Sequence, residues 1–218
     1  VRDGRMKKVD LASTPPLRQG VYPMWNPRGR YVAFSTNDTA QSFFGGHGQP
    51  VEVYDQSSDL MIYDTETGRM PTDARLFSDA RWETFPAWSP DGATLYFCSA
   101  EPRSMPLDRE SVRYDLLRAE FDFATGALGE RVDTLYDSRT AGGSVSFPRV
   151  SPDGRYLMYT RADYGTFPVW HAEADLAVMD LCDGSEVDAS ALNSDEAESC
   201  HAWSSSGRGG VFASRRAD

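Results

Sequence analysis

Apolar and polar positions alternate in the same way at four places along the chain. Each place has a short apolar strand, a turn of polar residues with Pro or Gly, and a returning strand in which apolar side chains alternate with others. The four segments start at Val21, Thr84, Ser146 and Ser199 and read VYPMWNPRGRYVAFSTN, TFPAWSPDGATLYFCSA, SFPRVSPDGRYLMYTRA and SCHAWSSSGRGGVFASR. Alternation with a period of two on both sides of a turn predicts four β-hairpins.

A second shared phrase follows three of the hairpins. It is an apolar strand that ends in Asp and turns at Gly, and it reads SDLMIYDTETG, YDLLRAEFDFATG and ADLAVMDLCDG. A weaker fourth strand comes next, as in ARLFSD and RVDTLYD. The unit is a four-stranded antiparallel meander, and tandem meanders predict an all-β fold of the β-propeller class. Because an isolated blade leaves its apolar faces uncovered, we expect Trp25, Trp88 and Trp203 to fill the seams between blades.

The repeats predict the division of the chain into blades. We expect a single β-propeller domain over 1–218, or part of one. Its parts are a half-blade at 1–19, blades at 20–80, 81–140 and 141–195, and a half-blade at 196–218. We favour a segment of a six- to eight-bladed ring over closure into four blades.

The Ser-Pro-Asp-Gly turns are interpreted as structural parts of the repeat. Their key positions are Pro90, Asp91, Gly92, Pro152, Asp153 and Gly154. Pro suits the second position of a tight turn, and an Asp that precedes Gly accepts hydrogen bonds from its own turn. The two aspartates are therefore given no catalytic role.

Long insertions separate the second and third strands of the blades. They span residues 38–57, 101–113 and 163–173, and in a propeller such connections all lie on one face. The candidate binding residues in them are Phe43, Phe44, His47, Tyr54, Arg103, Arg109, Tyr164, Phe167, Trp170 and His171. Aromatic residues with Arg are typical of binding hot spots. The alternative is that the insertions only pack on one another as a lid over the channel.

Composition narrows the possible partners. With 22 basic and 33 acidic residues the net charge is −11, which repels phosphate backbones, so no nucleic-acid partner is expected. No apolar run approaches the roughly 18 residues of a membrane span. Cys98, Cys182 and Cys200 lack CxxC spacing, and we interpret them as small buried hydrophobes, with a Cys182–Cys200 disulfide as the alternative.

The sequence contains no complete motif for a serine hydrolase or a metal site. The nearest match to GxSxG is GGSVS from Gly142, which lacks the final Gly, so the segment is not a complete serine hydrolase. A metal held by His171, His201 and Glu173 is conceivable, but the HxH or HxxxH spacing is missing. We therefore predict no catalytic residues, no metal and no cofactor.

The phrases FPAWSPDG and FPRVSPDG resemble the TolB-type propeller repeat, YPMWNPRG matches it in part, and CHAWSSSG matches it least. The resemblance implies a bacterial periplasmic or cell-envelope protein without enzymatic activity, which binds a protein or glycan partner through the insertion face. The same repeat occurs beside peptidase domains and in polysaccharide lyases. The alternatives are thus a propeller domain of a longer peptidase, or a carbohydrate lyase or hydrolase that uses His171, His201, Arg103 and Arg109 at the channel mouth.

Overall fold

The protein is described by a computed structural model that covers residues 8–9, 19–44, 51–70 and 73–216. Within these residues the chain forms four antiparallel sheets, in which strands that follow one another along the chain are hydrogen-bonded neighbours. Sheet 1 contains β1 (Gln19–Trp25), β2 (Tyr31–Phe43) and β3 (Val51–Asp64); sheet 2 contains β4 (Trp82–Trp88), β5 (Thr94–Ala100), β6 (Tyr114–Asp122) and β7 (Ala127–Tyr136). Sheet 3 contains β8 (Ser144–Val150), β9 (Tyr156–Ala162), β10 (Asp175–Asp180) and β11 (Glu186–Val187); sheet 4 contains β12 (Glu198–Trp203) and β13 (Gly210–Ser214).

The all-β prediction is confirmed, and sheets 2 and 3 have the four strands of a blade. Helical structure in the described residues is limited to short turns: Ser138–Ala141 is α-helical, and Arg109–Ser111, Pro168–Trp170 and Ser190–Leu192 are 3₁₀ turns. No helix in this part of the chain is long and apolar enough to cross a membrane. The blade boundaries and the number of blades in a complete ring stay predictions, and most of the proposed first half-blade lies outside the described residues.

The fourth strand was predicted correctly in one sheet and wrongly in another. RVDTLYD lies in β7, whereas ARLFSD, at residues 74–79, is not a strand. The carboxylate of Asp73 accepts a hydrogen bond from the Arg75 backbone at 2.9 Å, and the Asp73 carbonyl accepts one from Leu76 at 2.9 Å, which closes a turn. Leu76 is buried, and its carbonyl accepts one hydrogen bond from the backbone N–H of Leu60 in β3. Local turn chemistry therefore competes successfully with strand pairing here.

The first strand of every sheet contains a β-bulge at the same repeat position. Tyr22, Phe85, Phe147 and Cys200 have positive φ angles of 52 to 55°, and the pairing register shifts there in all four hairpins. Such a conformation is costly for a residue other than Gly, and it persists only where packing enforces it. The bulges bring the three aromatic rings together with Phe167: Phe85 lies 4.4 Å from Phe147 and 4.8 Å from Tyr22 between ring centroids. We call these four rings the axial cluster.

Tryptophans at the repeat position join two pairs of sheets as predicted. Trp88 is 6% exposed and packs among sheet 1 residues that include Tyr31, while its indole N–H donates to the carbonyl of Met24 at 3.0 Å. Trp203 repeats this contact, with its indole N–H donating to the carbonyl of Arg149 at 3.0 Å. Each indole thus docks on the first strand of the sheet before its own. Burial of such a ring contributes about 2–3 kcal/mol.

The side chain of Trp25 is 56% exposed. In both described seams the contact reaches to the preceding sheet, and the described residues contain no sheet before sheet 1. The seam role of Trp25 therefore stays a prediction. In sheet 3, Val150 occupies the position of the tryptophan.

The Ser-Pro-Asp-Gly turns show the chemistry expected of them. The Ser89 hydroxyl donates to the Asp91 carboxylate at 2.5 Å, and Ser151 does the same to Asp153 at 2.5 Å. These bonds lower the pKa of both aspartates below its ordinary value. Gly92 has a φ of +69°, which an L side chain rarely adopts. The carboxylates are occupied within their own turns.

Candidate functional site

The first insertion is a β-ribbon rather than a loop. Strands β2 and β3 remain paired from Thr39 with Asp55 out to Phe43 with Val51. One face of the ribbon is buried and carries Glu52, while the Phe43 side chain is 76% exposed. The ribbon therefore presents an apolar side chain from a hydrogen-bonded support.

The second and third insertions are bonded to each other. The backbone N–H of Gly165 donates to the carbonyl of Val112 at 3.0 Å. The Ser144 hydroxyl donates to the Gly165 carbonyl at 2.7 Å and accepts from the Tyr114 backbone at 3.0 Å. The second and third insertions, from sheets 2 and 3, thus form one packed layer. We call this layer and the ribbon of sheet 1, taken together, the rim.

A buried acid–histidine group joins the ribbon to the third insertion. His171 is 1% exposed, and its Nε2 lies 3.1 Å from the Glu52 carboxylate, whose side chain is 2% exposed. Its Nδ1 lies 3.0 Å from Glu173, and the Tyr164 ring packs against the imidazole with centroids 4.6 Å apart. We call Glu52, His171 and Glu173 the clasp. Burial by itself lowers the pKa of His171, but the two carboxylates outweigh it and raise the pKa above its ordinary value.

A second buried carboxylate lies at the base of the ribbon. Asp55 is fully buried and accepts hydrogen bonds from the Thr39 hydroxyl at 2.6 Å and the Asn37 amide at 2.8 Å. Burial raises the pKa of Asp55 to about 6, although both hydrogen bonds lower it. The Asn37 amide also reaches the Thr84 hydroxyl at 3.3 Å, so this polar group connects sheets 1 and 2.

Two of the candidate binding residues present large exposed apolar surface. These are Phe43 and Trp170, which is 43% exposed. Arg103 is exposed as well, but its guanidinium is paired with Glu101 at 3.0 Å. The guanidinium of Arg109 lies 3.9 Å above the Phe44 ring and also pairs with Glu110 at 2.7 Å.

The other candidates are placed differently from the expectation of an exposed binding surface. Tyr54 is 5% exposed, with its hydroxyl 2.9 Å from that of Ser42. His171 is buried in the clasp, and Phe167 is half-buried in the axial cluster, 5.9 Å from Phe85 between centroids. Tyr164 is half-buried beside His171. These four side chains pack within the protein, and His47 lies outside the described residues.

The residues of the enzymatic alternative do not share one site. His201 is buried, with Nε2 3.0 Å from the Met158 carbonyl, and burial lowers its pKa to about 4. His171 belongs to the clasp, and Arg103 and Arg109 have their own acidic partners. Among the described residues, no three His, Cys, Asp or Glu side chains are grouped so that they could hold a metal ion.

All three cysteines are free. Cys98 is buried as expected, whereas Cys182 and Cys200 are exposed, so the prediction of three buried thiols is wrong for these two. Cys182 lies in the turn after β10 and Cys200 at the bulge of β12. The Cys182–Cys200 disulfide is not formed.

The clasp predicts a defined pH dependence of stability. His171 has a folded-state pKa above its ordinary 6.5, so its stabilising contribution is present below about pH 6.5 and is lost as the pH rises through the folded-state pKa. Replacing His171→Gln should lower the free energy of unfolding by about 1–3 kcal/mol near pH 6 and by less near pH 9. Urea unfolding at both pH values measures this difference. An equal loss at the two pH values would contradict the charged clasp.

Comparison with known proteins gives similarity to solved structures only. No protein-family model matches the chain, and no curated protein matches it in sequence. Similar solved structures include a candidate TolB protein from Agrobacterium tumefaciens, with 18% identity and a TM-score of 0.49 over 79% of this chain and 49% of that one. Others are a prolyl endopeptidase, with 14% identity and a TM-score of 0.49 over 77% and 21%, and an oligogalacturonate lyase in complex with manganese, with 15% identity and a TM-score of 0.41 over 78% and 35%. The chain spans half or less of the length of each.

Proposed function

We propose that the protein is a propeller-type scaffold without catalytic activity, which binds a protein or glycan partner through the rim. The observation that carries the proposal is the exposure of Phe43, at 76%, and Trp170, at 43%, on insertions that are otherwise packed together. Leu107 of the second insertion is exposed as well, at 85%, whereas the other large apolar side chains described on the rim are half-buried or buried. Exposed aromatic side chains on a rigid support are typical of binding surfaces.

The two aromatic residues lie close to the same buried contact. Phe43 is paired across the ribbon with Val51, the neighbour of Glu52, and Trp170 immediately precedes His171. The bond between Glu52 and His171 therefore links the two backbone segments that carry the exposed rings. A binding surface built in this way loses little conformational entropy when a partner docks.

Arginines accompany the aromatic rings of the rim. The Arg109 guanidinium stacks on Phe44 at 3.9 Å, and that of Arg215 lies 5.4 Å from the centroid of Trp170. Planar rings with guanidinium donors at their sides can contact apolar protein surface or the face of a sugar ring while hydrogen-bonding its polar groups. This chemistry suits both partner classes in the proposal.

Photo-crosslinking identifies the partner and tests the surface together. A benzophenone amino acid placed at Phe43 or at Trp170 should crosslink the same protein, or the purified protein should bind members of a glycan array. The double variant Phe43→Ala with Trp170→Ala should then weaken that binding by at least about tenfold. The loss follows from removal of the two exposed anchors.

The matched control is Val211→Ala. Val211 is 71% exposed on β13 of sheet 4 and belongs to none of the insertions, so its replacement should leave binding unchanged. Equal binding by the rim variant and the wild type would reject the rim as the binding surface. Turnover of an acidic oligosaccharide would instead favour the enzymatic alternative.

The cellular location belongs to the same proposal. The resemblance of the repeats to the TolB type supports a periplasmic or envelope-associated protein. Fractionation of the native host, followed by immunodetection with an antibody against this chain, tests it. Recovery in the cytoplasmic fraction would contradict this location.

A further inference from the structure

Arg149 is an arginine that has no acidic partner among the residues described by the structure. It lies on β8, two residues after the bulge at Phe147, in the first strand of sheet 3. Its side chain is half-buried and makes one hydrogen bond, to the carbonyl of Pro148 at 2.9 Å. No carboxylate of the described residues forms an ion pair with it.

Several other part-buried arginines are paired with carboxylates, although Arg113, like Arg149, donates only to backbone carbonyls. Arg30 pairs with Asp64 at 2.7 Å, Arg81 pairs with Asp115 at 2.9 Å, and both pairs include further bonds in the same site. Removal of a guanidinium from water without a counter-ion is unfavourable. Accordingly, burial lowers the pKa of Arg149, whereas hydrogen bonding to Asp64 raises that of Arg30.

The ionisable groups around Arg149 are thiols rather than carboxylates. The ionisable groups that act on it electrostatically are the thiols of Cys98 and Cys200, and Cys200 also acts on the hydroxyl of Tyr22. Burial raises the pKa of Cys98 and of Tyr22, so both stay protonated. His201 is neutral, because burial lowers its pKa and the positive charge of Arg149 lowers it further.

We propose that Arg149 is an anion-binding residue, which takes a carboxylate or phosphate group between the first strands of sheets 3 and 4. A guanidinium matches the geometry of both oxyanions. The acidic net charge of the protein opposes anions at long range, but salt screens this repulsion beyond about 8–10 Å. The proposal uses neither Phe43 nor Trp170, so it does not depend on the proposed function.

Thermal unfolding in the presence of simple anions tests the site. Sodium phosphate and sodium acetate, each compared with sodium chloride at equal ionic strength, are the probes. One of them at about ten times its dissociation constant should raise Tm by about 3 °C. Phosphate alone would identify a phosphate site, and acetate alone a carboxylate site; the absence of any rise would overturn the proposal.

The variant Arg149→Met provides the decisive comparison. Met24 occupies the equivalent position of sheet 1, so the fold already accommodates this side chain there. The bond from Trp203 to residue 149 uses the backbone carbonyl and remains. The variant should lose the anion-dependent rise in Tm, whereas Arg155→Met, which removes an arginine paired with Asp180, should keep it. An unchanged response in Arg149→Met would refute the assignment.

Alkylation of Cys200 gives a readout that does not depend on stability. In a Cys182→Ser background Cys200 is the exposed thiol, because Cys98 is buried. The positive charge of Arg149 should favour anionic iodoacetate over neutral iodoacetamide, and Arg149→Met should lower the ratio of the two rates about threefold. Phosphate or acetate should slow the iodoacetate reaction in the wild type only. A ratio that is the same with and without Arg149 would contradict an anion at this position.

Discussion

Replacement of Trp88 by alanine is expected to lower the free energy of unfolding by about 3–5 kcal/mol. The Trp88 ring is 6% exposed, packs 4.8 Å from the Phe121 centroid and donates its N–H to Met24. Its loss leaves a cavity in the seam between sheets 1 and 2, together with an unused carbonyl. Equilibrium unfolding in urea measures the effect.

Trp25→Ala is the matched control, because Trp25 holds the same repeat position but is 56% exposed. Its replacement should cost less than about 1 kcal/mol. The difference between the two variants isolates seam burial from any property of tryptophan in this strand. Equal losses would mean that the seam does not stabilise the fold in the way described.

The second large effect on stability is expected at Glu83, whose buried carboxyl group has too few hydrogen bonds to offset the loss of water. Its side chain is 1% exposed, and one oxygen accepts from the Ser99 hydroxyl at 3.1 Å. The other oxygen has no hydrogen-bond partner among the described residues. Burial, with a further contribution from Asp59, raises the pKa of Glu83 to about 8. Glu83 is thus protonated in the folded protein at neutral pH.

The sign of its pH effect follows from this shift. Between the ordinary pKa of 4.5 and the folded value of about 8, the unfolded chain releases the proton while the folded chain holds it, so stability falls as the pH rises. The decrease is about 1.4 kcal/mol per pH unit from this group. Glu83→Gln should remove it, which makes the variant more stable than the wild type by about 3 kcal/mol near pH 7 and by about 4 kcal/mol near pH 8. Urea unfolding between about pH 5 and pH 8 tests this.

Glu198 is the natural control for Glu83. It occupies the equivalent position in sheet 4 and faces Ser214, as Glu83 faces Ser99. Burial opposes its charge, but bonds from Ser194, Ser214 and Arg216 prevail and lower its pKa. Glu198→Gln should therefore destabilise the protein at neutral pH, and by less as the pH falls below about 4. A stabilising effect at both positions would show that the two environments are not distinct.

The repeat and its turns could be predicted because they depend on neighbours in the chain. Alternation in TLYFCSA, and the turn that Asp91 closes on Ser89, involve residues within one hairpin. The recurrence of Trp88 and Trp203 at one position was sufficient to predict their role in seams. The strand predicted at ARLFSD was wrong, because the preceding residue, Asp73, closes a turn there.

Several important residues gave a weak signal or none. Glu52 belongs to the alternating stretch VEVYD, in which an acid on a strand next to apolar residues could have indicated a buried ribbon face. The bulge residues Tyr22, Phe85 and Phe147 can be recognised in the sequence as aromatic residues before Pro. Their contact in the axial cluster could not be predicted from it. The unpaired state of Arg149 is invisible in FPRVSPDG, because it depends on which acids the fold brings near.

The sequence by itself determined the antiparallel hairpins, the tight turns, the repeating seam position and the presence of three insertions. These features follow from period-two patterning and from backbone preferences that act over a few residues. The tertiary structure alone decided that Glu52 meets His171 across 119 positions, that Trp25 is exposed while Trp88 is buried, and that Glu83 and Glu198 differ in charge. Burial and the pairing of charges are properties of the packed sheets. Similar local sequences therefore lie in different environments when their neighbours in space differ.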